Sequence, residues 1–554
     1  MLPLVLAALI LLVILYHIRP PPRHPLPPGP KPLPLLGNIA HLPPRNTPDY
    51  LHWLKLKDYG PLTSLRILGT TLIVIHDAAM AVDLLDRMAG VASDRPQMVF
   101  AQDLCGMGRF LVLRNWDVAA RRQRRFMNQQ LGPRAVAAQY RRVQESEVLK
   151  LLVRILHEPE NAMEHFKTQV CCSHSWGFKT RGTTNTTRMN SFSTSVILKI
   201  TYGYTVESAR PDPLIGLIGQ AQDNFAHVLD SPWWLVQVLP SLARLPSSLP
   251  GMAFLKTAQR YKGFIDAVID VPYQFATRQM DKTAAPPTYV SETLHQALQG
   301  AEFKSGYDLA YMESVVKESA ASIYGAGAET TPCNLAIFVL AMLQYPQVQQ
   351  RAQQEIDSVI GPHRLPTADD QSSLPYTNAI VKETLRWFPV IPSAAVHVTT
   401  SEIVYKGYSI PKGAYLLPMI WWFTHDPSVH RNPAHFDPER FLPPRHEPDP
   451  AKVVFGYGRR KCPGIHLSQA SLFLSVACIL ATSKISKAVD SQGRELEAEL
   501  KARPGLVCHP EPFPYAISPR SASHIDLIRK TAAEQPWHQS DAAEIEKDLA
   551  MRPA

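Results

Sequence analysis

The sequence has no Cys-x-x-Cys pair, no internal repeat, no Gly-x-Gly-x-x-Gly turn after a strand pattern and no long run of one charge. Each absence argues against a class of function. Seven cysteines at 105, 171, 172, 333, 462, 478 and 508, an odd number without regular spacing, argue against a disulfide framework and for a reducing compartment. Without the glycine fingerprint the chain carries no dinucleotide site of its own. Lys and Arg exceed Asp and Glu by 57 to 48, a net charge of +9, but the basic residues are scattered, which speaks against nucleic acid. A mildly basic surface suits an anionic membrane face or an acidic protein partner. What is present is bulk: 554 residues, 45% hydrophobic and 19% charged, enough for a large core and too apolar for disorder.

Residues 2–18 are uncharged and rich in Leu, Ile, Val and Ala, at the short end of what spans a bilayer. Arg19, Arg23 and Lys31 follow, so the positive-inside bias leaves the remainder on the cytoplasmic side. A cleaved signal peptide is the alternative, but no Lys or Arg precedes the run and prolines follow where small residues would mark cleavage. Nine prolines between Pro20 and Pro34 predict a stiff spacer, the hinge of residues 19–34. The sequon at Asn185, Thr186 and Thr187 would stay unmodified in that topology.

Alternation around Gly69 predicts an antiparallel hairpin over Leu62–Ile75, with helix over Ala78–Leu85. Helical periodicity then covers Asn115–Leu131, Val136–Leu156, Phe254–Met280, Ser314–Gln344, Pro346–Ile360 and Leu374–Phe388. After Pro389 come short strands, a proline-rich loop over 427–450, and a final helix from Gly464 to Thr482. Trp233 and Trp234, in the apolar stretch 232–240, predict either core packing or a surface that dips into a bilayer. The polar tail after about Ser521 is expected to be loosely attached.

Three motifs carry chemistry. Phe455-Gly-Tyr-Gly-Arg-Arg-Lys-Cys462-Pro-Gly464 is a glycine-punctuated loop that delivers a cysteine to a helix start, where backbone amides favour a thiolate. Its glycines would let the backbone approach a flat cofactor, Arg460 could pair with a carboxylate, and Phe455 could shield the sulfur. Glu383 and Arg386, three apart on a helix, share a face. Ala326-Gly-Ala-Glu-Thr-Thr-Pro332 sits mid-helix, where Pro332 cannot donate to the carbonyl of Ala328 and Thr330 can bond back one turn, so the helix is expected to open locally.

The loop, with Phe455, Gly458, Arg460, Cys462 and Gly464 in order, resembles the haem-binding loop of the cytochrome P450 family. The resemblance extends from the anchor and proline hinge to about residue 525. It implies a mainly α fold with a small β-rich lobe and a catalytic domain over 35–525, preceded by an N-terminal transmembrane anchor over 2–18; the polar tail over 526–554 lies outside it. It further implies haem b with Cys462 as the proximal iron ligand, whose electron density favours O–O cleavage. Glu383, Arg386 and Arg440 become a buried charge triad; Glu329 and Thr330 become the proton-handling pair beside dioxygen. His397 and, from the early helix, Trp116 with Arg121 or Arg124 are candidates to grip the haem propionates. The family spacing of tryptophan and arginine fails here because Ala120 follows Trp116 at four residues; partner docking by that basic face is the rival reading.

The implied activity is insertion of one atom of dioxygen into a lipophilic small molecule, with a pocket drawn from 95–113, 205–240, 322–331 and 390–396, including Phe100, Ile323, Val390 and Ile391. Electrons would come from the NADPH-dependent diflavin reductase of the endoplasmic reticulum, with a single anchor and the catalytic domain facing the cytosol. The hinge, Tyr202-Gly-Tyr204 and the Glu-Thr-Thr-Pro segment resemble fungal members used in secondary metabolism. A haem-thiolate isomerase, dehydratase or peroxygenase that needs no reductase, and a non-catalytic haem sensor, stand as alternatives.

Overall fold

The computed structural model describes residues 24–44, 47–166, 192–207, 210–230, 234–282, 286–299 and 308–551. The expected anchor, the sequon and Trp233 lie outside these residues. Two compact units are distinguished, each built from separated stretches of chain.

The smaller unit comprises 24–96, Ser393–Phe423 and Gly456–Lys461 and holds the β-rich lobe. Its main sheet has β1 (Leu62–Ile67) antiparallel to β2 (Thr70–Ile75), the hairpin expected from the sequence. Leu68 and Gly69 both have positive φ, the tight two-residue turn whose twist matches the flanking strands. Two further short strands join this sheet: β3 (His397–Val398) and β6 (Tyr415–Pro418), with β6 parallel to β2 and antiparallel to β3. A separate hairpin pairs β4 (Ile403–Tyr405) with β5 (Tyr408–Ile410).

The described part of the hinge is no free spacer. Prolines lack N–H groups, yet their carbonyls still accept. Ser64 donates from Oγ to Pro27 at 2.5 Å and from N–H to Pro28 at 2.9 Å, Asn38 donates to Pro30, and Ser409 N–H donates to Pro25. Any Cβ at Gly29 would overlap the Ser64 carbonyl, so glycine is what allows the strap to lie on β1.

The larger unit comprises Gln97–Pro392, Thr424–Phe455 and Cys462 onward, and is helical. Its principal helices are α1 (Val118–Gln130), α2 (Arg141–His157), α3 (Phe192–Tyr202), α4 (Pro213–Asp230), α5 (Ala253–Met280), α6 (Tyr289–Gln299), α7 (Leu309–Gln344), α8 (Pro346–Val359), α9 (Pro375–Trp387) and α10 (Ile465–Thr482). The helices α7 and α10 are long and apolar enough to cross a membrane, but 78% and 72% of their apolar windows are buried within the protein. They are core helices, apolar on every face because protein covers every face.

Around α7 pack α3, α1, α5 and α10. Despite Pro332, α7 continues as helix through the expected opening. Gly327 is where α3 comes closest: a Cβ there would meet Ile197 Cγ1 at 2.5 Å, and Ser193 Oγ donates to the Gly327 carbonyl at 2.6 Å. Its missing side chain therefore serves helix packing.

The tail is not loose. It forms α11 (Ala522–Ala533) and α12 (Ala542–Ala550) behind the pair β7 (Ser483–Ser486) and β8 (Ala516–Pro519), and buries Ile528 and Ile545. Asp541 and Thr205 bond each other through N–H groups at 2.7 and 3.0 Å, and Arg210–Glu546 and Arg278–Asp548 add ion pairs. In the 234–239 stretch Val236 is buried while Leu235 and Leu239 are half exposed, so that patch is partly core and partly surface.

Candidate active site

Cys462 lies two residues before Gly464, the N-cap of α10, and its own N–H donates to the Phe455 carbonyl at 2.7 Å, which closes the loop. Burial pushes the Cys462 thiol up; the Gly464 N–H and the Arg124 guanidinium oppose that and favour the thiolate. Of the helical arginines, Arg124 is thus the one whose charge reaches the sulfur. Arg121, the expected propionate partner, is exposed, and Trp116 precedes the Asp117 N-cap of α1 rather than lying on the helix.

Within the smaller unit a buried basic cluster surrounds Arg460. Its Nε donates to the Ser93 carbonyl at 2.7 Å, and buried Arg95, which the sequence reading passed over, donates to the carbonyls of Ala395 and Val396 at 2.8 and 2.6 Å. Burial and the like charge of Arg460 pull Arg95 down to about 9. His397 is buried, its Nδ1–H donates to the Ala92 carbonyl at 2.8 Å, and burial with Arg95 and Arg460 drives it down to about 3. Gly458 also serves the local packing: a Cβ would overlap the Leu85 carbonyl, and its N–H donates to Asp86. It lets the loop seat on the 83–87 turn.

The charge triad is assembled as expected and is larger. Arg386 donates to both oxygens of Glu383 at 2.7 Å, Arg440 Nε donates to Glu383 at 2.9 Å, and all three side chains have no exposed surface. The Asp437 N–H adds a fourth bond to Glu383 at 2.8 Å. Arg440 also donates to Glu447 at 2.9 Å, which His430 and Arg445 share, so three arginines face two carboxylates. Pairing and hydrogen bonding are both needed for such charges to remain buried.

On α7, Thr330 Oγ1 donates to the Ala326 carbonyl at 3.2 Å. Glu329 is not on that hydroxyl but on His509, whose Nε2 lies 2.9 Å from its carboxylate. No sequence motif marks His509.

The sequence matches the family model Cytochrome P450 over residues 27–516. The chain belongs to the cytochrome P450 family. Among curated relatives it is 40% identical to cytochrome P450 monooxygenase CLM2 of Gibberella zeae over 96% of both chains, and 38% identical to the multifunctional cytochrome P450 monooxygenase af510 of Aspergillus fumigatus over 92% of this chain and 91% of that one. O-methylsterigmatocystin oxidoreductase of Aspergillus flavus is 33% identical over 95% of this chain and 94% of its own length. A zebra fish cytochrome P450 structure, solved with abiraterone, matches the fold with a TM-score of 0.64 over 86% of this chain and all of its own, at 22% identity.

The family makes this a haem enzyme with a cysteine thiolate as axial ligand, of the monooxygenase class. The residues of each unit suit that group: in the larger, one thiol has an amide N–H and a cation favouring its ionised form, and in the smaller, buried Arg95 and His397 with half-buried Arg460 have the chemistry for two propionates.

Proposed function

We propose that the enzyme inserts one oxygen atom from dioxygen into a lipophilic small molecule in fungal secondary metabolism, with Cys462 as the iron ligand. The observation that carries the assignment of Cys462 is its place two residues before the N-cap of α10, in a loop closed by its N–H to the Phe455 carbonyl at 2.7 Å, where the Gly464 N–H and Arg124 oppose the upward push of burial on the thiol. The relatives named above support the reaction class and the fungal setting. Haem, when bound, supplies dioxygen activation with electrons delivered one at a time.

The chain's own groups hold and feed that chemistry. Arg95 and Arg460 hold the propionates as cations, with His397 beside them; as placed, its Nδ1–H is already committed to Ala92. Phe455 and Gly464 frame the sulfur. Glu329 and Thr330 manage protons on the α7 side, and Glu383, Arg386 and Arg440 keep the Cys462 loop's supporting segment rigid. Phe100, buried and 6.2 Å from Phe254 between ring centres, and buried Ile323 support an apolar substrate.

Electrons come from an NADPH-dependent diflavin reductase; exposed Arg121 and Arg125 on α1 suit an acidic docking face. The apolar run 2–18 anchors the protein in the endoplasmic reticulum with the catalytic part toward the cytosol.

Membranes from cells co-expressing the chain and such a reductase, supplied with NADPH and a panel of terpenoids and polyketides, test the reading. Oxygen-18 from dioxygen should enter one product, and Thr330→Ala and Glu329→Gln should lower product per NADPH. Turnover without a reductase, or unchanged yield in both variants, would contradict it.

A further inference from the structure

The contact between Glu329 and His509 joins positions 180 residues apart. His509 sits on a loop that is pinned in several ways. Cys508 donates from N–H to the Val390 carbonyl at 2.8 Å, Ala502 bridges Pro510, Arg503 N–H donates to the His509 carbonyl, and Cys333 on α7 donates its thiol to the Cys508 carbonyl at 3.3 Å. The imidazole is therefore fixed against α7 one turn from Thr330.

A second acid stands near the same carboxylate. On α4, Asp223 feels the charge of Glu329, and α4 is tied to α7 at that level by Gln222 Nε2 donating to the Gly325 carbonyl at 3.2 Å and by the Tyr324 hydroxyl donating to the Leu214 carbonyl. His509 and Glu329, from two separate parts of the chain, thus meet at the acid assigned to proton handling, and the charge of Glu329 reaches Asp223 on α4. The remaining titratable group facing His509 is the Cys333 thiol.

We infer that His509 is a positioning residue for proton delivery, holding Glu329 as the ionised partner of an imidazolium so that Asp223, on the adjoining helix α4, stores the proton the reaction draws. This rests on the reading of Glu329 given under Proposed function. In each delivery one proton leaves an Asp223 oxygen, directly or through water, and is received by Glu329; Asp223 is then recharged from solvent, the imidazolium keeps its own proton, and no electron moves. The electrostatics agree with this division. Against the burial that opposes it, Glu329 raises His509 above the ordinary imidazole range, while burial and then the Glu329 charge lift Asp223 to about 6, close to the pH at which a proton donor works best.

The test compares Glu329→Gln, His509→Gln and Asp223→Asn in the haem-loaded protein with NADPH and a diflavin reductase, no substrate being added. Peroxide released per NADPH and the solvent deuterium isotope effect on NADPH consumption are followed against pH, and the histidine ring signals are titrated by NMR in the diamagnetic carbon-monoxide form. A histidine signal titrating above the ordinary range, about 6.5, should fall toward it in Glu329→Gln. Asp223→Asn should erase the pH limb near 6 and raise peroxide per NADPH about tenfold, less than the roughly 10²-fold or more of a full acid–base loss because water substitutes. His509→Gln, which strips Glu329 of its partner, should likewise raise peroxide per NADPH and change the isotope effect.

If Glu329→Gln itself changes nothing, the underlying reading of Glu329 fails. If Glu329→Gln acts but the other two keep the wild-type limb and isotope effect, the inference fails. Should His509→Gln not hold haem, His509→Arg, which keeps a cation, replaces it; an unshifted histidine titration in the wild-type protein overturns the inference without any variant.

Discussion

Arg386 grips Glu383 through two parallel hydrogen bonds of 2.7 Å, with neither side chain exposed. Arg440 completes the same carboxylate, so removing Glu383 would leave two guanidinium groups buried against each other. Glu383→Gln should cost roughly 3 to 5 kcal/mol, the range for stranding a buried charge. Denaturant unfolding of the haem-loaded protein measures it. A loss under about 1 kcal/mol would mean that neighbouring carbonyls alone satisfy the arginines.

The pH response of this network follows from Glu447. Burial would raise its carboxyl, but Arg445, His430 and Arg440 outweigh that and hold it down to about 2, against an ordinary value of 4.5. A depressed acid contributes stability that is full above the ordinary value and lost as pH falls toward the folded one. The stability difference between wild type and Glu447→Gln should therefore be constant above pH 4.5 and shrink between 4.5 and about 2. Melting curves at stepped pH read it; a difference independent of pH down to that limit would remove Glu447 from the network.

Gly327 and Ile197 give a packing prediction. Gly327→Ala should destabilise by about 1 to 3 kcal/mol, as overpacking of a filled core does, because the added methyl meets Ile197 Cγ1 and Cδ1 at 2.5 and 2.6 Å. Ile197→Ala removes both atoms, so the double variant should be more stable than the sum of the single effects. Strict additivity in a thermal unfolding cycle would show that α3 yields instead.

How much of this was legible in sequence depended on whether the signal was local. The Cys462 loop, the Glu383–Arg386 spacing and the hairpin at Gly69 each lie within a few residues, and the structure contains them where expected. Periodicity found α5, α7 and α9 to within a few residues of their ends but not α3, which is buried on nearly every side and so has no polar stripe to set a period. The tail helices were missed for the opposite reason, since α11 and α12 each bury very few side chains and resemble solvated chain. At the site, Arg121 and Arg124 stood as equal candidates until the fold brought the Arg124 charge to the Cys462 sulfur. His509 and Glu447 could not be read at all, because each draws its meaning from partners supplied by distant turns of chain.

The central claim, that the Cys462 thiolate is the iron ligand, is tested most directly by the absorption spectrum of the reduced, carbon-monoxide-bound protein. The wild type should show the red-shifted band of thiolate ligation. Cys462→Ala should lack it, and Cys105→Ala, Cys333→Ala, Cys478→Ala and Cys508→Ala, the other described cysteines, should each retain it. Persistence of the band in Cys462→Ala would contradict the assignment.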